Sequence, residues 1–201
     1  MYRKKIRILL TYAALHKVDV MATDIRNAYL QAPTSEKHFI ICDADLHGIE
    51  HAGKRACIVR ALYNGKLAGR DLWIHLRAYM DILGFTSCFP DPGVWMRQSK
   101  RGNGTSYYEY VLLYVDDCLV ISDNADNFIR SEIGKYFELK RESIKPPDLY
   151  LGGRMRQVEL DNGLKTWAFG SYQYVQAAVK NVEEYLKKHS KKPLPTKGHM
   201  T

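Results

Sequence analysis

The stretch Tyr110-Val111-Leu112-Leu113-Tyr114-Val115-Asp116-Asp117-Cys118-Leu119-Val120-Ile121-Ser122 decides how this chain is read. Two apolar, strand-forming runs flank two adjacent aspartates, the pattern of a tight hairpin with the acids at its tip. Neighbouring carboxylates repel and lose hydration between apolar strands, so the pair stays ionised only beside a cation or at a turn open to water. The open turn is the ordinary reading, because aspartate is common in turns. The flanks argue for more, since they are apolar enough for the centre of a sheet. A third carboxylate, Asp24, ends another apolar stretch, Val18-Asp19-Val20-Met21-Ala22-Thr23-Asp24. Were the two stretches sheet neighbours, three carboxylates would converge on one edge. Hard oxygen ligands of this kind suit Mg²⁺. Two such ions roughly 3.5–4 Å apart activate an attacking oxygen and stabilise a leaving one.

Working outward, Ile6, Leu9, Leu10, Ala13 and Ala14 fall at helical spacing, so the basic N-terminus reads as an amphipathic helix and not a signal peptide. Asn27 to Gln31 turns into a helix that Pro33 stops. Phe39–Cys42 and Cys57–Val59 read as strands around a loop from Asp43 to Arg55, and Leu72–Leu83 as a helix ended by Gly84. Val94–Arg97 pairs with Tyr107–Val115 across a turn at Arg101–Gly104. Ala125–Phe137 reads as the next helix, capped by Asp123 or Asn124. A second hairpin, Leu149–Leu160 with Leu164–Phe169, closes over Asp161-Asn162-Gly163. Ser171 caps a last helix striped by Val175, Ala178, Val179, Val182 and Leu186, and the tail Lys187–Thr201 is basic, Pro-interrupted and loose.

Composition bounds the rest. The 201 residues, 46 % hydrophobic and 26 % charged, are those of a globular chain and exclude disorder as the main state. Lysine and arginine outnumber the acids 30 to 22, and the resulting charge of +8 favours polyanionic partners. The fourteen tyrosines suit base stacking, though core and strand packing accounts for most. No apolar run is long enough to span a bilayer. Cys42, Cys57, Cys88 and Cys118 include no close pair, which fits a reducing compartment and neither a disulfide framework nor a zinc ribbon. Cys42, His47, His51 and Cys57 are the right types for zinc, but their spacing matches no finger or knuckle. With no targeting signal, the expected location is intracellular, cytoplasmic or nuclear. The sequence fixes no oligomeric state.

The hairpin segment, with Tyr114-Val115-Asp116-Asp117 at its tip, resembles the catalytic hairpin of reverse transcriptases. Val18–Leu30 is similar to the first catalytic motif of the copia-type (Pseudoviridae-like) LTR retrotransposon enzymes. Ala61-Leu62-Tyr63-Asn64-Gly65-Lys66 and Gly84-Phe85…Asp91-Pro92 follow in that family's order. The likeness runs from about Arg7 to Leu186. It implies an α+β palm with an antiparallel sheet backed by helices, partial fingers and the start of a thumb. Residues 1–145 would form the palm with finger elements, 146–170 a primer-grip-like hairpin, and 171–201 the thumb start and tail. The implied function is RNA-directed DNA polymerisation, in which a primer 3′-hydroxyl attacks the α-phosphate of a dNTP.

Carried over by position, the resemblance makes Asp24, Asp116 and Asp117 the catalytic and metal-binding triad for two Mg²⁺ (or Mn²⁺) ions. Tyr29 takes the place of an aromatic that excludes the 2′-hydroxyl, and Tyr63, Asn64 and Lys66 contact the incoming nucleotide. Leu151, Gly152 and Gly153, inside Pro146–Gly153, match the hairpin that holds the primer terminus. The implied partners are an RNA or DNA template with its primer and a dNTP, and no membrane.

The pattern departs at three places. Asn64 stands where the family has glycine, so either its Cβ and amide obstruct close backbone approach or the chain shifts by one residue. Leu72 replaces a usual tryptophan. Only 23 residues precede Asp24, leaving little room for fingers. This fragment is therefore expected to bind primer–template in a salt-sensitive way and to polymerise poorly. The alternative from another class is a catalytically inactive, nucleic-acid-binding remnant; a metal-dependent nuclease is a third.

Overall fold

A computed structural model describes residues 2–194, without the side chains of residues 2, 3, 172 and 173. In chain order it begins α1 (Tyr2–His16), β1 (Asp19–Asp24), α2 (Ala28–Gln31), β2 (Pro33–Ile41), α3 (Ala44–His47) and β3 (Arg55–Arg60). There follow α4 (Ala68–Ile82), β4 (Thr86–Cys88), β5 (Asp91–Lys100), β6 (Ser106–Tyr114), β7 (Asp117–Ser122) and α5 (Ala125–Ser131). The last elements are β8 (Leu149–Tyr150), β9 (Gly153–Glu159), β10 (Lys165–Gly170) and α6 (Tyr172–Lys188). The chain divides into two units, one of Leu15–Pro146 and one that joins Met1–Ala14 to Pro147–Thr201. The break after Pro146 lies one residue from that expected after residue 145.

The larger unit is built on a five-stranded antiparallel sheet of order β1-β7-β6-β5-β4. Its centre explains why the sequence there is continuously apolar rather than alternating. Cys118, Leu119, Val120 and Ile121 in β7 are all buried, so both faces of that strand lie in protein. Leu72, Leu76 and Met80, one turn apart on α4, join Val111, Val120 and Trp95 of the sheet in one buried cluster. Phe128 and Ile129 of α5 belong to the same cluster, and α5 packs on β1 and β7. Each fully buried Leu, Ile or Val contributes roughly 1.5–3 kcal/mol relative to exposure. The unit is thus a mixed α and β structure with antiparallel pairing throughout.

Several boundaries differ from the sequence reading. The helix after β7 ends at Ser131, and a 3₁₀ turn at Ile133–Lys135 replaces its last part. β2 begins at Pro33, well before Phe39, and pairs with β3 as a separate two-stranded ribbon. The loop from Asp43 to Arg55 contains α3 and a 3₁₀ turn at Ile49–His51.

In the smaller unit Ile6, Leu9, Leu10 and Ala13 of α1 are buried, as their spacing predicts. The expected single hairpin is a three-stranded sheet of order β10-β9-β8. Tyr150 pairs with Gly153, so Leu151 and Gly152 form a two-residue turn, both with positive φ (47° and 71°). Those signs are the I′ pattern that suits strand twist. α6 continues to Lys188, into the segment expected to be loose; residues 195–201 of that tail lie outside the described residues. Among the described residues no helix is long and apolar enough to cross a membrane.

Candidate functional site

Three backbone devices bring the acidic residues to one end of the central sheet. The β1–β7 register runs from Asp19 opposite Ser122 to Asp24 opposite Asp117. Tyr114 pairs with Asp117, leaving Val115 and Asp116 as a two-residue hairpin loop. Val115 carries a positive φ of 57°, a strained conformation for a β-branched residue that a fixed surrounding must impose. Part of that fixing comes from β1, since Ile25 N–H donates to the Asp116 carbonyl at 2.8 Å.

The third device is a strap, residues 138–145, along the outer edge of β1. Arg26 N–H donates to Glu138 O at 2.8 Å, Lys140 N–H to Asp24 O at 2.9 Å and Ala22 N–H to Lys145 O at 2.8 Å. Ser143 closes the strap on the site: its hydroxyl accepts from Asp24 N–H at 2.8 Å and donates to Lys140 O at 2.6 Å. The sequence-expected Asp24, Asp116 and Asp117 are therefore brought together, and Lys140 and Ser143 join them. No spacing or motif marks either of the last two; only the edge pairing of the strap puts them there.

The electrostatics reflect crowded negative charge. Asp117 is held above the usual carboxylate range by burial first, then by repulsion from Asp116 and Asp24, with Lys140 opposing. Lys140 Nζ meets Asp24 Oδ1 at 2.8 Å. The contact is an ion pair: Oδ1 is buried, and the ammonium lacks the alignment of a charge-assisted hydrogen bond. This contact chiefly raises the Lys140 pKa, burial opposes, and the charges of Asp24, Asp116 and Tyr63 add to the rise. Burial, then the Asp117 charge, pushes the adjacent Cys118 thiol up to about 12, which keeps it neutral.

Among the described residues, no group of three or more His, Cys, Asp or Glu side chains is gathered closely enough to hold a metal ion. The donor chemistry nevertheless fits a hard cation. Asp24, Asp116 and Asp117 offer carboxylate oxygens, and their proximity adds to burial in disfavouring ionisation of Asp117. Added positive charge opposes that repulsion.

The remaining expected residues fall in two places. Tyr29, half-buried on α2, packs against the core and meets Tyr63 edge-on, with ring centroids 4.6 Å apart. Leu62-Tyr63-Asn64-Gly65 is a turn closed by Gly65 N–H to Leu62 O at 3.0 Å, and Asn64 at its third position has φ +68°. That is the position where such turns require Gly or Asn. Asn64 thus holds a left-handed conformation of the kind glycine favours. Lys66 is exposed beyond the turn, and Leu72 lies in the core. Leu151, Gly152 and Gly153 belong to the other unit. Packing within that unit accounts for both glycines: a Cβ on Gly152 would lie 2.7 Å from the Tyr174 hydroxyl, and one on Gly153 only 2.2 Å from the Phe169 ring.

No protein-family model matches the chain, and no solved structure matches it. The curated proteins similar to it include three Pol polyproteins of plant transposons. The retrovirus-related Pol polyprotein from transposon TNT 1-94 of Nicotiana tabacum is 25 % identical over 201 residues, 97 % of this chain and 14 % of that protein. Those from transposons RE2 and RE1 of Arabidopsis thaliana are 25 % and 27 % identical over 119 residues, 59 % of this chain and 8 % of each relative. The chain therefore resembles a short segment of much longer retrotransposon Pol polyproteins.

Proposed function

We propose that this chain is the palm-centred part of a copia-type reverse transcriptase, an RNA-directed DNA polymerase acting on a primed template. One observation carries the reading: Asp24 stands opposite Asp117 in the sheet register, with Asp116 in the adjoining hairpin loop. The similarity to Pol polyproteins of plant transposons supports it. Asn64 keeps a left-handed backbone, a conformation that glycine adopts readily.

In this reading Asp24, Asp116 and Asp117 hold divalent cations, which supply charge stabilisation to a phosphoryl displacement. The chain's own residues do the positioning. Ile25 and Ser143 lock the backbone on either side of Asp24, so its carboxylate cannot drift from the hairpin tip. Tyr63 braces the Tyr29 ring, which stands beside the sugar and excludes a 2′-hydroxyl. The +8 charge draws the chain to a phosphate backbone.

The direct test is primer extension on poly-A/oligo-dT with Mg²⁺ or Mn²⁺. Weak, metal-dependent dTTP incorporation that Asp116→Asn abolishes is the expected result. Retained nucleic-acid binding without incorporation would assign the inactive remnant instead. Metal-dependent cleavage of the template would assign a nuclease.

A further inference from the structure

The ammonium of Lys140 sits where positive charge is most needed. It touches the buried Oδ1 of Asp24 at 2.8 Å and lies in the field of Asp116 and Asp117. Its backbone is fixed to the same residue, because Lys140 N–H donates to the Asp24 carbonyl at 2.9 Å. The side chain is nonetheless 42 % exposed. Beside it opens a cavity of about 510 Å³ lined by Arg26, Glu138, Leu139, Lys140, Arg141 and Glu142. The ammonium can therefore swing off Asp24 toward a hollow lined in part by Glu138 and Glu142, while its backbone stays in place.

We propose that Lys140 is a built-in placeholder for the divalent cation, occupying Asp24 in the ion-free chain and competing with the ion for it. The inference rests on the carboxylate reading above but goes beyond it. It assigns to Lys140 the control of how tightly the site takes its ion. A monovalent ammonium at hydrogen-bond distance neutralises one carboxylate and orients it, so the acids remain near one another without metal. An incoming ion must displace it, and the cation affinity measured is the difference between the two pairings. The lysine prevents the acids from repelling one another apart, and in doing so weakens ion binding.

Direct Mn²⁺ binding tests this without any catalysis, by following loss of the free-ion electron paramagnetic resonance signal as protein is added. Lys140→Met is expected to bind Mn²⁺ tenfold or more tightly than the wild type, and Asp24→Asn in that background to lose the gain. Lys140→Arg keeps the charge and is expected to bind no more tightly than the wild type. Lys140→Gln repeats the neutral substitution with a polar side chain, should the methionine variant fold poorly. Asp24-dependent Mn²⁺ binding that neither neutral variant strengthens would overturn the placeholder role and leave the carboxylate site standing. Mn²⁺ binding independent of Asp24 in every protein would overturn the site itself.

Discussion

At the scale of single residues, Asn64 is a non-glycine residue held in the left-handed region, with φ +68°. Left-handed backbone costs an ordinary L-residue about 1–2 kcal/mol, and asparagine is among the residues that tolerate it best. Asn64→Val should therefore lower stability by about 1–2 kcal/mol. At this exposed turn, Asn64→Gly should leave it within about 0.5 kcal/mol, as read from urea midpoints. Asp117 makes a prediction of opposite character. Its folded-state pKa is raised, so the folded chain takes up this proton at higher pH than the unfolded chain does. Ionised Asp117 thus opposes folding at pH 7, and that penalty disappears as pH falls through the folded value. Asp117→Asn should raise the melting temperature at pH 7, with the gain shrinking to nothing below the ordinary carboxylate range. A constant gain across pH would show that burial and repulsion at Asp117 are weaker than described.

At the scale of elements, β5, β6 and β7 are pinned by a polar network that the sequence does not announce. Arg97 Nη2 donates to Glu109 Oε2 at 2.6 Å, and Nη1 to Glu132 Oε2 at 2.8 Å and to the Leu83 carbonyl at 2.7 Å. The guanidinium also lies over Phe85 and Phe128. Glu109 is only 5 % exposed, and its other oxygen accepts from Ser122 Oγ and Tyr107 OH at 2.6 and 2.9 Å. Removing the arginine strands a buried carboxylate, so Arg97→Met should cost about 3–5 kcal/mol in denaturant titration. Loss below about 1 kcal/mol would mean that the hydroxyls alone satisfy Glu109. The hairpin around Asp116 was legible because β7 is buried on both faces and its residues say so. β2 was not, because Pro33-Thr34-Ser35-Glu36-Lys37 is polar and belongs to an exposed ribbon with no apolar face to impose alternation. Lys140 was equally illegible: its place follows from main-chain bonds to β1, which any side chain permits.

At the scale of the whole chain, the basic surplus yields the broadest prediction. Affinity for a primed template should fall linearly with salt on logarithmic axes, at a slope near −0.9 per phosphate neutralised, as measured by fluorescence anisotropy. A salt-independent affinity would rule out the polyanion partner. The sequence located the carboxylates of the larger unit but not the composition of the smaller one. No local pattern states that the first helix belongs with a segment starting at Pro147, since only long-range burial decides it. That arrangement has a consequence for synthesis. The helix is made before Leu15–Pro146, and all of that segment must follow before its unit can be completed. At about 5–20 residues per second that wait is on the order of ten seconds, far longer than a helix takes to form. For that interval Ile6, Leu9, Leu10 and Ala13 wait on the nascent chain for the C-terminal residues of their own unit.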